Sequence, residues 1–439
     1  MMIKKVFLTL CLLCSFALKS QNVESRIVKL INKCDVFTLD KEYPVVKDSL
    51  TPVNKWCVKA LLDLNFNRMT DARISIDTLL SNYQSELGVA NSRKFIFYSG
   101  YVLGELGLYR KGAELLKSFL DEVGPTVSTV EMDQHKKIYN FCYAFRNEKA
   151  PEIYRPLKDI ELPVEFIEQT SVFSGVVTGN RLFVPVKIHG KSYRFLFDTG
   201  ANYCAVPERI AREVGIRTLV DSVMVFGVKD SHGHKVGILD SISMGDIMYK
   251  NGLFVVTNAK LDSDSAFYSL CDGYVGLNFM RAIGEMIFYP NENRMVLPYK
   301  QTDLPIIGRN MTINDDRNVL VQAFTNDKPL LFHLDTGSTL TIFNYPYYLK
   351  NKEWFGSNPI KVSMRSSGVG GKVSYEICKS PEFSLKIGDL SFKLADMPTV
   401  IDPNKDETPT GDGVMGLDFF MPFSKVIMNF DKMFVEFKK

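Results

Sequence analysis

Two seven-residue stretches constrain this chain more than anything else in it: FLFDTGA at residues 195–201 and FHLDTGS at residues 332–338. In each, an apolar run ends on an aspartate, and a lone carboxylate is costly to place in apolar surroundings. The two acids, Asp198 and Asp335, lie 137 residues apart. The same offset carries Leu182, Val184 and Val186 onto Val319, Val321 and Ala323, and carries Phe195 and Phe197 onto Phe332 and Leu334. In the first copy, Leu182, Val184, Val186 and Ile188 alternate, a turn follows at Gly190-Lys191, and Tyr193, Phe195 and Phe197 alternate into Asp198. That period of two predicts a hairpin whose second strand delivers the acid. Downstream, DGYVGLNF (272–279) matches DGVMGLDF (412–419), with Gly276 lying 78 residues after Asp198 and Gly416 lying 81 after Asp335. Each copy closes on a strand pair around an asparagine- or aspartate-bearing turn, MIFYPNENRMVL from Met286 and VIMNFDKMFVEF from Val426. Five ordered correspondences predict two homologous all-β lobes, residues 178–298 and 316–439.

Two carboxylates from duplicated lobes suggest one site on a pseudo-two-fold axis. Acids about 3 Å apart do not both ionise easily and so hold one proton between them. One carboxylate can then take a proton from a water while the other donates one to a carbonyl oxygen, which suits amide hydrolysis. That chemistry requires neither metal nor cofactor, and no Cys/His cluster has zinc-like spacing. Thr199 and Thr336 can support the two loops through their hydroxyls, and Gly200 and Gly337 let backbone amides approach the carboxylates. Gly276 and Gly416 follow apolar pairs, Tyr274-Val275 and Val414-Met415, that can pack beside the acid-bearing loops. The copies differ at one informative place, Ala201 against Ser338. A serine hydroxyl donating to Asp335 would favour its ionised form, leaving Asp198 as the acid that holds the proton more often.

With these motifs in place, the two lobes resemble aspartic peptidases of the retropepsin and pepsin-like clan. That pattern is a hydrophobic residue followed by Asp-Thr-Gly-Ser/Ala, and later two hydrophobic residues and a glycine. The DG(x)(x)GL(N/D)F form is similar to bacterial and retroviral-like members, and the resemblance covers about 240 residues across both lobes. It implies a single-chain, two-lobed pseudo-dimer with Asp198 and Asp335 as the catalytic pair. It also implies a peptide or protein substrate bound in extended form. The family closes β-hairpin flaps over its substrate. SGVGGKV, with Gly368, Val369 and Gly370, and FGVKDSHGHKV, with Gly227 and Val228, are similar to such tips and favour two flaps. His232 and His234 lie in the second of these, read as exposed turn histidines. Two further readings stay open: a catalytically silent peptide-binding protein of the same fold, and a scaffold whose helical domain binds a partner.

The rest of the chain sets the context. Its 439 residues suit several domains, and 46% hydrophobic with 23% charged residues is a globular composition. The formal charge of +3 falls near zero once Lys4, Lys5 and Lys19 leave with a leader, which gives no case for nucleic acid. That leader, residues 1–20, has a basic start and an apolar stretch from Val6 to Leu18, too short for a comfortable membrane span. It predicts export to a periplasm or the cell exterior, with an uncleaved anchor or a lipid on Cys14 as alternatives. No other run predicts a membrane span in the mature chain. Residues 22–150 read as helical, with Ile27, Leu30, Ile31 and Cys34 on one face and Ala72, Ile76, Leu79, Leu80 and Tyr83 on another. LGLYRKGAELLKSFL (106–120) resembles the helix pair of a tetratricopeptide repeat, and NRMTDARISIDTLL (67–80) is a looser copy at a period of 40. A generic helical bundle fits as well, and either could dock a protein partner. Residues 151–177, rich in proline at their start, read as a linker. Six cysteines follow the leader, a number that permits disulfides without giving their connectivity. Cys204 reads as a buried small hydrophobe beside the DTG turn. The expected architecture is therefore α+β and multidomain, a helical domain followed by two homologous all-β lobes.

Overall fold

A computed structural model of the chain describes residues 22–123, 128–170, 177–226, 231–257, 270–356, 359–368, 371–402 and 410–439. The fold is α+β, and the chain divides into two compact units, Met1–Glu148 and Lys149–Lys439. The expected leader lies outside the described residues. Among those described, no helix is long and apolar enough to cross a membrane.

The first unit is helical: residues 22–32 are followed by Val36–Val46, Pro52–Asn65, Met69–Asn82, Gln84–Glu105, Tyr109–Glu122 and Thr129–Ala144. Local chemistry sets several ends. Pro52 opens its helix at the first turn, where a missing N–H costs nothing. Ser128 caps the last helix by accepting from the Glu131 N–H. The period of 40 read from the sequence reappears as geometry. The turns after Pro52–Asn65 and Gln84–Glu105 both place a left-handed residue, Asn67 and Gly107. Both close with the same long backbone hydrogen bond, Arg68 N to Asp63 O and Leu108 N to Leu103 O, each 2.8 Å. Small residues then allow close packing: a side chain at Gly112 would strike Cys142, and one at Gly100 would strike Leu116. The core includes Ala60, Ala72, Ile76, Leu79 and Val102, all fully buried. One carboxylate enters this interior. Asp63 accepts from Lys59 (2.8 Å), Arg68 (2.7 Å) and Ser75 (3.1 Å), which compensates its desolvation.

The second unit contains three sheets. Each lobe is built on its own sheet, and a five-stranded sheet joins them in the order Ile160–Pro163, Arg294–Leu297, Glu285–Tyr289, Lys425–Asn429, Phe434–Lys438. The two closing strand pairs seen in the sequence therefore lie side by side, with Ile287 opposite Ile427. Residues 151–170 are not the linker that their prolines suggested. Glu152–Tyr154 pairs with Ile247–Thr257, Ile160–Pro163 pairs with Arg294–Leu297, and Glu165–Thr170 pairs with Val177–Ile188. Proline spacing hid three short strands, two of which find their partners far along the chain while Glu165–Thr170 pairs with the neighbouring Val177–Ile188. The six cysteines form no disulfide; Cys34 is exposed and the other five are buried.

Candidate active site

The acid of each lobe arrives as its hairpin predicts. Lys191–Phe197 pairs antiparallel with Val177–Ile188 and ends one residue before Asp198; Lys328–Leu334 pairs with Val319–Thr325 and ends one residue before Asp335. What fixes the acids is a second, parallel contact. Gly273–Val275 lies against Phe195–Phe197, and Gly413–Met415 lies against Phe332–Leu334. The Asp198 N–H donates to the Val275 carbonyl (3.1 Å) and the Asp335 N–H to that of Met415 (3.0 Å). The apolar pairs before the later glycines thus hold the acid-bearing strands by backbone pairing as well as by packing. Gly276 and Gly416 are required by crowding: a side chain there would lie 2.3 Å from the Tyr203 backbone or 2.5 Å from that of Leu340.

The two loops then lock to each other. Thr199 donates its hydroxyl to the Leu334 carbonyl (2.7 Å) and accepts from the Thr336 N–H (3.0 Å). Thr336 mirrors this, donating to the Phe197 carbonyl (2.8 Å) and accepting from the Thr199 N–H (3.1 Å). Both threonines are buried, so four satisfied bonds replace what would be four stranded polar groups. The Asp198 and Asp335 carboxyls come within hydrogen-bonding reach of each other. A side chain on Gly337 would stand 2.5 Å from an Asp198 oxygen, and one on Gly200 would stand 2.7 Å from an Asp335 oxygen. Of the loop-support residues expected from the sequence, Thr199, Gly200, Thr336, Gly337 and Ser338 lie at the acid loops, and Gly276 and Gly416 follow the parallel strands beside them, packed on Tyr203 and Leu340.

The pair is not symmetric. The Gly200 N–H donates to Asp198 Oδ1 (2.9 Å), whereas Asp335 Oδ1 accepts from both Gly337 N–H (2.9 Å) and Ser338 N–H (3.1 Å). Burial, and then the charge of Asp335, push the Asp198 carboxyl up to about 8. The Ser338 hydroxyl does not act as expected: it donates to the Leu340 carbonyl (3.0 Å) and leaves the carboxylate to the backbone. Sequence could not separate a serine's hydroxyl from its amide as the donor.

Two titratable side chains beside the pair escaped the sequence reading. Arg181, on the first strand of the lobe-one hairpin, is half-buried within Coulombic reach of both acids; burial pulls its guanidinium below its ordinary value while Tyr274 and the acids oppose that. His333, two residues before Asp335, replaces the lobe-one Leu196. Burial lowers its imidazole below the usual histidine value, and its Nε2 is buried with no hydrogen-bond partner among the described residues. Neither carried a signal in the sequence, because both take the alternate positions at which a strand pattern admits a polar residue.

Cys204 is fully buried on the strand Cys204–Pro207, and burial pushes its thiol up to about 12, as an inert core residue requires. Of the expected flap tips, Gly227, Val228, Val369 and Gly370 lie outside the described residues. Gly368 ends the strand Val362–Gly368, opposite Gly371. The stems of both hairpins are described, Arg217–Phe226 with Ser231–Met244 and Val362–Gly368 with Gly371–Lys379. The His232 side chain lies outside the described residues. His234, expected at an exposed turn, is instead buried on its strand at 2% exposure, because the stem extends past the glycine that suggested a turn.

Comparison with known proteins agrees with this local pattern. Residues 184–281 match the family described as "gag-polyprotein putative aspartyl protease". That segment holds the DTG loop of lobe one and its later glycine motif. No curated protein matches the chain. Among solved structures, it is similar to a retropepsin-like aspartic protease from Rickettsia conorii at 14% identity, over 34% of this chain and 92% of that one, with a TM-score of 0.21.

Proposed function

We propose that the protein is an aspartic endopeptidase in which Asp198 and Asp335 share one proton and activate a water between them. The observation that carries this reading is the reciprocal threonine lock, which brings two acids from duplicated lobes into mutual hydrogen-bonding reach. The aspartyl-protease match over lobe one supports it.

In the step envisaged, Asp335, with two backbone donors on one oxygen, is the base that takes a proton from the water. Asp198, whose carboxyl is pushed up, donates a proton to the oxygen of the scissile carbonyl. The hydroxide attacks the carbonyl carbon to give a gem-diol; Asp335 then passes its proton to the nitrogen while Asp198 takes one from a gem-diol hydroxyl, and the C–N bond breaks to release the amine and a carboxylic acid. The pair returns to one shared proton without a covalent intermediate. An extended peptide suits a cleft beneath two strand hairpins, where backbone pairing supplies affinity and side-chain pockets supply selectivity. The apolar leader supports export as the setting for this activity.

The test is incubation of the purified protein with a diverse peptide library from acidic to neutral pH, read by mass spectrometry. Cleavage that disappears in both Asp198→Asn and Asp335→Asn is the expected result. Binding of peptides without turnover by the wild type would replace the enzyme with a peptide-binding protein of the same fold.

A further inference from the structure

The two lobes differ at one edge, and the difference points to a second binding site whose lining does not include the aspartates. In lobe one, the hairpin closed by Gly245-Asp246 continues into the strand Ile247–Thr257. In lobe two, the hairpin closed by Gly388-Asp389 continues into Leu390–Leu394, with Ile387 opposite Leu390 as Met244 is opposite Ile247. The counterparts of Met248, Tyr249 and Lys250 are therefore Ser391, Phe392 and Lys393.

In lobe one that edge is covered by the chain itself. Glu152, Ile153 and Tyr154 pair antiparallel with Lys250, Tyr249 and Met248. The Asn251 amide donates to the Ala150 carbonyl (3.0 Å), and Lys250 lies 4.6 Å from the centre of the Tyr154 ring. Arg155 then reaches the carbonyls of Ile283 (3.1 Å) and Pro298 (2.6 Å). In lobe two, Leu390–Leu394 is the last strand of its sheet, and among the described residues only Phe383–Ile387 pairs with it. The counterpart of Ile283 is Phe423, and that side chain helps line a cavity of about 500 Å³ beside the open edge. Phe392, Phe419, Thr341, Asp418 and Lys439 also line it. The segment preceding lobe two does not supply a cover. Thr302 is held by Glu285 (2.9 Å to its N–H), and Gln301 is bonded to Asp431.

We propose that this edge and cavity bind an extended segment of another polypeptide, added antiparallel to Leu390–Leu394 in the register that Glu152–Tyr154 takes in lobe one. The occupant has an acidic residue opposite Lys393, an aliphatic one opposite Phe392 and an aromatic one opposite Ser391. Backbone pairing supplies the affinity and the aromatic cavity the selectivity, as in strand addition generally. Lys393 is available for it, because its present pair with Glu382 (3.2 Å) is solvent-exposed on both sides and weak. An arginine after the aromatic is not required, since the Lys438 carbonyl, counterpart of that of Pro298, already accepts from Ser424.

The probe is a fluorescent peptide with the sequence of residues 149–157, KAPEIYRPL. Full-length protein should bind it saturably, with new amide-exchange protection confined to Leu390–Leu394. Ala395→Trp, which fills the cavity from an exposed position on its wall, should weaken binding at least about tenfold. Asp198→Asn should leave it unchanged, which separates this site from the aspartate cleft and from the fate of the proposed activity. No saturable binding, or binding lost in Asp198→Asn but kept in Ala395→Trp, overturns the proposal. Protection of the same edge by concentration-dependent dimerisation in the absence of peptide would overturn it in favour of a second copy as the occupant.

Discussion

Asp198 illustrates how far a single side chain's behaviour depends on what is folded around it. Its carboxyl, pushed up to about 8 by burial and by Asp335, holds a proton at neutral pH. For a carboxyl raised in the folded state, the stabilising contribution is fully present below the ordinary value of 3.8 and is lost as pH rises through about 8. Two outcomes follow for the shared proton, which belongs to the pair rather than to one acid. The kcat/KM profile for peptide cleavage should keep its activity to near neutrality and fall on a limb near pH 8. Urea midpoints should decline between pH 4 and 8 in the wild type and less steeply in Asp198→Asn. Ser338→Ala should leave the alkaline limb in place, because the donors to Asp335 are amides that alanine keeps. Movement of that limb by a full pH unit would return the role to the hydroxyl. Gly337→Ala should cost about a hundredfold or more in kcat, since a methyl 2.5 Å from an Asp198 oxygen must displace one of the reacting groups. The nearly unchanged fold expected of that variant can be checked by circular dichroism.

At the scale of elements, the informative contacts are those no local pattern announces. The alternation into each DTG loop made the two hairpins legible, down to the turn at Gly190. The parallel pairing of Gly273–Val275 with Phe195–Phe197 was not legible, because parallel partners are joined by long connections and leave no short-range signature. Distance alone hid Glu152–Tyr154 and Ile160–Pro163, whose antiparallel partners Ile247–Thr257 and Arg294–Leu297 lie roughly a hundred residues or more downstream. The threonine lock is the other such contact. Thr199→Val and Thr336→Val each remove one donor and one acceptor from a buried site, and each should destabilise the second unit by about 1–3 kcal/mol in chemical denaturation. The double variant should cost less than the sum of the two, because the threonines share the N–H bonds of one reciprocal lock. Strict additivity would show that the two sides act independently.

For the whole molecule, duplication explains both the symmetry of the site and its departures from symmetry. The helical unit has its own core and its own charged weak point. Asp63→Ala, which removes three hydrogen bonds but leaves Arg68 and Lys59 partly exposed to water, should lower the stability of that unit by about 1–3 kcal/mol, read as the shift of its unfolding transition in the full-length protein. An unshifted transition would mean that Asp63 is solvated rather than structural. The sequence by itself determined the two copies, their acids, their glycines and the change from a helical to a strand period near residue 150, because these are written in local order and spacing. Only the tertiary structure decided which donors each carboxylate receives, where Arg181 and His333 stand, and that residues 150–155 cover one lobe's edge while the matching edge of the other is unpaired among the described residues. Those outcomes depend on which distant backbones meet, and two lobes with the same local pattern can place different segments of chain against the same surface.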